Sequence, residues 1–173
     1  MEKEFKEWAL SLSAKYKEAR AKTWIEVNGQ MLSFYFDLGQ EMHKSTYKEK
    51  QKDDFYRNLS IELTKDKVGL LIFSEKNLRK IESFYILNSE LITELASDLP
   101  EDYSIESLMT LINDILQTMA KVSWSHFLAI LDTCINNPRK SWFYIQKTVE
   151  NGWPISSLRK AIDSKLYEKS MQS

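Results

Sequence analysis

The sequence predicts an all-α protein: a multi-helix bundle with a long N-terminal helix and two helix-turn-helix-like pairs, in a single domain over residues 1–173. Three observations predict it. Only four glycines and three prolines interrupt the 173 residues. Between them the apolar residues recur every three or four positions, the spacing that gathers side chains on one helical face. No stretch makes a convincing strand, since the one run that is strand-like in composition, VGLLIF, is too short to decide. With 43% hydrophobic and 28% charged residues, the composition is that of a soluble globular domain. A chain of this length buries roughly 70% of its unfolded surface, so it needs neither disulfide nor metal to hold a core.

The elements follow in order, in sub-regions 1–52, 53–88 and 89–173. From Phe5 the apolar positions Trp8, Leu12, Tyr16, Ala19, Val27, Met31, Phe34 or Tyr35, Leu38 and Met42 define a long first helix, which Asn28 and Gly29 interrupt as a candidate kink or break. The segment KSTYKEKQKDD, residues 44–54, has almost no apolar content and reads as a solvated linker or frayed end, locally basic over Lys44, Lys48, Lys50 and Lys52. Phe55, Leu59 and Leu63 predict a helix over about 53–65. The run VGLLIF reads as a buried turn, and Ser74 stands where an N-cap belongs for a further helix, in which Leu78, Ile81, Phe84, Tyr85 and Asn88 share a face. Pro100 breaks the chain before a helix from about Ser104 to Lys121, and Ser123 opens SWSHFLAILDT. Asn137 as cap, Pro138 at the first turn and Gly152 as left-handed stop delimit the next helix. A last one runs from near Pro154 through Ile155, Leu158, Ala161, Ile162 and Leu166.

Charge and chemistry narrow the function classes. Twenty-four basic and twenty-five acidic side chains give a net charge of −1, which excludes a uniformly basic nucleic-acid coat, so any nucleic-acid surface is a local patch. Residues 87–137 hold eight acids and one base, whereas 139–169 hold seven bases and three acids. The lone Cys134 and two separated histidines cannot build a zinc site or an internal disulfide, and no phosphate-binding loop or dinucleotide fingerprint occurs, so no cofactor is expected. The single cysteine fits a reducing cytoplasm, and no uncharged stretch approaches the ~18 residues of a membrane span, so a cytoplasmic location without membrane contact is expected. Ser123 and His126 lie too close on one helix start for a catalytic pair and read as a cap and a structural hydrogen bond. Trp8, Trp124, Trp142 and Trp153 read as core residues, as does Cys134; Trp24 is left open. His43 reads as a helix-end histidine.

Two adjacent helix pairs carry bases on the outward face of their second helix, the arrangement of a helix-turn-helix motif. In helices 53–65 and 74–87 the candidate DNA-binding residues are Lys76, Asn77, Arg79 and Lys80. In helices 138–151 and 154–169 they are Arg159 and Lys160. Lysine and arginine would neutralise phosphates, while Asn77 or Arg79 would read a base edge.

Four stretches, VNGQMLSFYFDLGQEM, NLSIELTKDKVGLLIFSEKNLRKIESFY, KVSWSHFLAILD and SWFYIQKTVENGWPISSLRKAIDSKLYEK, together resemble the N-terminal domain of the YhcG-like bacterial proteins. The resemblance spans about Trp24 to Lys169. It implies a helical domain that precedes a nuclease domain of the PD-(D/E)XK type, whose carboxylates and lysine lie beyond Ser173. It therefore carries no catalytic residue onto this chain, which is expected not to cut DNA. Pro154 stands where the family commonly has a serine cap, a change the first helical turn tolerates. The expected partners are DNA and a nuclease domain in cis or in trans. The alternative is a protein-interaction module, a homo-oligomer paired through Phe5, Trp8, Leu12 and Tyr16.

Overall fold

The computed structural model describes residues 2–67 and 69–172. Its elements are α1 (Glu2–Lys44), α2 (Thr46–Gln51), a single 3₁₀ turn (Lys52–Asp54), α3 (Phe55–Leu63), α4 (Glu75–Ala96), α5 (Ile105–Met119), α6 (Trp124–Cys134), α7 (Pro138–Asn151), α8 (Ile155–Asp163) and α9 (Leu166–Ser170). The all-α bundle that the sequence predicts is the fold, and no strand occurs among the described residues.

Helix α4 is the axis of the bundle. It touches α1, α3, α5, α6 and α7, and Leu78, Ile81, Phe84, Leu87 and Leu91 along it are buried. Around them close Leu32, Tyr35 and Met42 of α1, Ile115 of α5, Phe127 and Leu131 of α6, Tyr144 and Ile145 of α7, and Leu158 of α8. Cys134 is buried in this cluster, as expected. Helix α1 crosses α4 at Gly39, where an added Cβ would stand 2.6 Å from the Tyr85 Cβ and 2.7 Å from the Ile81 carbonyl oxygen. Only glycine permits that approach.

The structure corrects several expectations. Asn28 and Gly29 do not break α1, which runs unbroken for 43 residues. The Asn28 amide donates to the Ala120 and Val122 carbonyls at 2.8 and 2.9 Å, satisfying acceptors that the end of α5 leaves open, and Gly29 lies against Ala120. Residues 44–54 are not a linker: Ser45 accepts a hydrogen bond from the Tyr47 N–H and caps α2, and the 3₁₀ turn leads straight into α3. The turn after α3 is not buried throughout, because Leu70 and Leu71 are exposed while Ile72 and Phe73 pack on the core. Helix α4 runs past residue 87 to Ala96. Ser74 and Ser123 occupy cap positions, yet their hydroxyls bond the Leu71 carbonyl and His126. The final helix divides at Lys165, whose left-handed backbone (φ 55°) separates α8 from α9. Trp124, Trp142 and Trp153 pack against the core, but Trp8 does not: it is 57% exposed on α1.

Candidate nucleic-acid interface

The two helix pairs differ at their connections. Helices α3 and α4 are joined by residues 64–74, longer than the three or four residues of a helix-turn-helix corner. At the start of α4 Lys76 is exposed. Asn77 is tied at both ends of its amide, donating to the Ile72 carbonyl at 2.8 Å and accepting from the Trp124 indole N–H at 2.9 Å. Arg79 pairs with Glu75 at 2.9 Å and lies over the Tyr56 ring, 4.3 Å from its centroid. Lys80 reaches Asp132 of α6 at 2.5 Å. Three of the four side chains therefore have partners inside the fold, and Asn77 cannot read a base without abandoning Trp124.

Beneath these residues lies a polar cluster that sequence reasoning missed. Glu82, on the inner face of α4, is 3% exposed. Its carboxylate accepts from the Lys48 ammonium and the Tyr56 hydroxyl, and His43 Nδ1 lies 3.2 Å away. An ionised carboxylate only accepts, so Nδ1 carries the proton that faces it. A glutamate four residues after Leu78 and one after Ile81 was the available signal, since a charge on an apolar helical face needs a partner. His43 is in the last turn of α1, as its position suggested.

The second pair has a tight corner. Asn137 Oδ1 accepts from the Lys140 N–H at 2.9 Å and starts α7, with Pro138 in its first turn. Gly152 ends α7 in the left-handed region (φ 58°, ψ 39°), and the Trp153 N–H returns to the Thr148 carbonyl at 3.0 Å. Three residues, Gly152, Trp153 and Pro154, then turn the chain into α8. His126 braces this turn from α6. Its Nε2–H donates to the Trp153 carbonyl at 3.0 Å, which leaves Nδ1 to accept from Ser123 Oγ at 2.7 Å. A backbone carbonyl fills the place a triad's carboxylate would take, so the pair orients a turn. Leu158 and Ala161 face the core, leaving Ser156, Arg159, Lys160 and Asp163 on the outer surface of α8. Among the described residues neither Arg159 nor Lys160 has an acidic side chain within ion-pair distance.

The other bases of this region stitch the bundle together. Arg139 bonds Asp98 at 2.8 Å and reaches Glu94 at 3.3 Å, beyond and at the end of α4. Lys140 bonds Glu168 of α9 at 2.6 Å, and the buried Tyr144 hydroxyl accepts from the Tyr167 N–H at 3.3 Å. The Arg139 hydrogen bond holds the Asp98 carboxyl below its ordinary range, and the Lys140 hydrogen bond does the same for Glu168. A depressed carboxyl stabilises the fold above its unfolded value and loses that contribution as pH falls through the folded one. Glu168→Gln should therefore lower Tm by a few degrees at pH 7 relative to the parent. The difference should shrink as pH falls below the ordinary glutamate value of about 4.3 and Glu168 becomes protonated. A Tm gap that is constant from pH 7 to pH 3 would argue against an ionic contribution.

Among the described residues no group of histidine, cysteine, aspartate or glutamate side chains is placed to hold a metal ion, and no helix is long and apolar enough to cross a membrane. No curated protein and no solved structure matches the chain. One family does match, the DUF1016 N-terminal domain, over residues 11–169, which takes in most of α1 and every later helix as far as Lys169. By that match the chain belongs to the DUF1016 N-terminal domain family.

Proposed function

We propose that the chain is a non-catalytic DNA-positioning domain, serving a nuclease domain of the YhcG-like type in the same or a partner polypeptide. The observation that carries this reading is the three-residue turn that sets α8 on the surface with Arg159 and Lys160 outward. Its left-handed Gly152 suits the corner of a helix-turn-helix, and residues 139–169 around it hold seven bases against three acids in a chain of net charge −1. Arg159 and Lys160 neutralise phosphates and hold register, contacts that position without reading sequence. The bases of α4 are secondary, because Asn77, Arg79 and Lys80 already have partners.

Fluorescence anisotropy of the chain with duplex, branched and single-stranded DNA at two salt concentrations tests this. Salt-sensitive binding is expected. The double variant Arg159→Glu, Lys160→Glu should weaken it at least about tenfold and reduce the salt slope by about 2. Unaltered binding in that variant, with loss in Lys76→Glu, Arg79→Glu, Lys80→Glu, would move the contact to α4. No binding at low salt would overturn the reading.

A second reading, an assembly module, draws on a different observation: Phe5, Trp8, Leu12 and Tyr16 are all exposed on α1.

A further inference from the structure

The N-terminal half of α1 stands clear of the bundle, and every residue from Phe5 to Trp24 is exposed. Its apolar side chains continue into the half that packs on α4. Phe5, Tyr16 and Val27 are eleven residues apart, and so are Leu12, Thr23 and Phe34. An eleven-residue spacing makes three turns of about 3.67 residues each, so these six positions form one stripe along a nearly straight helix. The stripe lies on the side turned away from α4, which leaves Val27 55% and Phe34 42% exposed even where α1 belongs to the bundle.

The same stripe returns when the helix is read backwards. Set antiparallel to a copy of itself, α1 places Phe5 opposite Phe34, Leu12 opposite Val27 and Tyr16 opposite Thr23, the two residue numbers of each pair adding to 39. The two-fold axis then passes between Ala19 and Arg20. On one flank Lys15 stands two residues, about 3 Å along the axis, from the level of Glu26 of the partner subunit, and neither has an ion-pair partner among the described residues of its own chain. Phe73, whose ring is 6.3 Å from Phe34, adds a wall beside the partner's Phe5.

We infer that α1 is a dimerisation seam whose occupant is α1 of a second copy, antiparallel and in this register. The inference rests on the assembly reading and names its partner. A two-fold contact needs a self-complementary surface, and this stripe is one. The antiparallel arrangement also sets the positive end of each helix dipole beside the negative end of the other. Covering the exposed parts of Phe5, Trp8, Leu12, Tyr16, Val27 and Phe34 on both copies removes on the order of 1,200 Å² from water, which reaches the range of specific interfaces.

Light scattering of the full chain at about 50 µM, combined with cysteine cross-linking, tests the seam. The native thiol stays out of the chemistry, since Cys134 is buried and its ionisation is pushed up to about 11 by that burial. Leu12→Cys and Val27→Cys are made as separate proteins. Each alone should give no covalent dimer, because identical positions lie about 22 Å apart in this register. A mixture of the two should give the mixed disulfide under mild oxidation. A Leu12→Cys homodimer would mean parallel pairing and overturn the register, leaving assembly intact. A dimer that forms without cross-linking and survives Phe5→Glu, Tyr16→Glu would overturn the seam, again leaving assembly intact. A monomer at every concentration up to 50 µM would overturn both the seam and the assembly reading.

Discussion

Gly39→Leu is expected to lose at least about 3 kcal/mol of folding stability, a large share of the roughly 5–15 kcal/mol that holds a domain of this size. The first added carbon alone would stand 2.6 Å from the Tyr85 Cβ and 2.7 Å from the Ile81 carbonyl oxygen. Both atoms are fixed by the α4 backbone, so no rotamer change relieves the contact. Helix α1 must lift away from α4 and loosen the packing of Leu32, Tyr35 and Met42. Gly39→Ala is the milder version. Its better helix propensity returns about 1 kcal/mol against the clash, so a net loss of about 1–2 kcal/mol is expected. Urea unfolding measures both, through a lower midpoint at constant slope. An alanine variant more stable than its parent would show that the two helices have room to spare there.

Lys48→Met should be nearly as damaging, at about 3 kcal/mol, because it strips the cation from a carboxylate that is almost wholly buried. Tyr56 and His43 still bond Glu82, but the charge has lost its nearest compensation. Glu82→Gln alone should cost about 1–2 kcal/mol, since the released Lys48 is partly exposed and can turn to water. Combined with Lys48→Met, the same glutamine should recover more than half of the loss by removing the unpaired charge. Additive losses in the double variant would mean that the two residues do not act as a pair. Hydrogen exchange should also rise across residues 46–54 in Lys48→Met, because that side chain anchors α2 to α4.

Local signals were legible in the sequence and distant partners were not. Asn137, Pro138 and Gly152 delimit α7 because a cap, a first-turn proline and a left-handed stop act within a few residues of themselves. The core face of α4 followed equally well from its three- and four-residue spacing. The segment KSTYKEKQKDD gave no such signal. It is helical because Ser45 caps it and Lys48 meets a glutamate 34 residues away, which no window of ten residues contains. Asn28 misled in the same manner, a poor helix former kept for the carbonyls of Ala120 and Val122. Asn77 has the residue type and position of a base reader, yet its partner is the indole of Trp124, 47 residues on. Trp8 misled in the opposite direction, since helical spacing says which residues share a face and nothing of whether that face is covered.

The unbroken course of α1 through Asn28 and Gly29 also has a mechanical meaning. Phe5 stands about 50 Å from Gly39 along one rigid rod, at ~1.5 Å per residue. With Gly39 wedged against Tyr85 as fulcrum, each degree by which α1 tilts on α4 carries Phe5 through about 1 Å. A small settling of the bundle about its own axis is thereby magnified at the far tip, and a load applied at the tip returns to the core as torque on a single glycine.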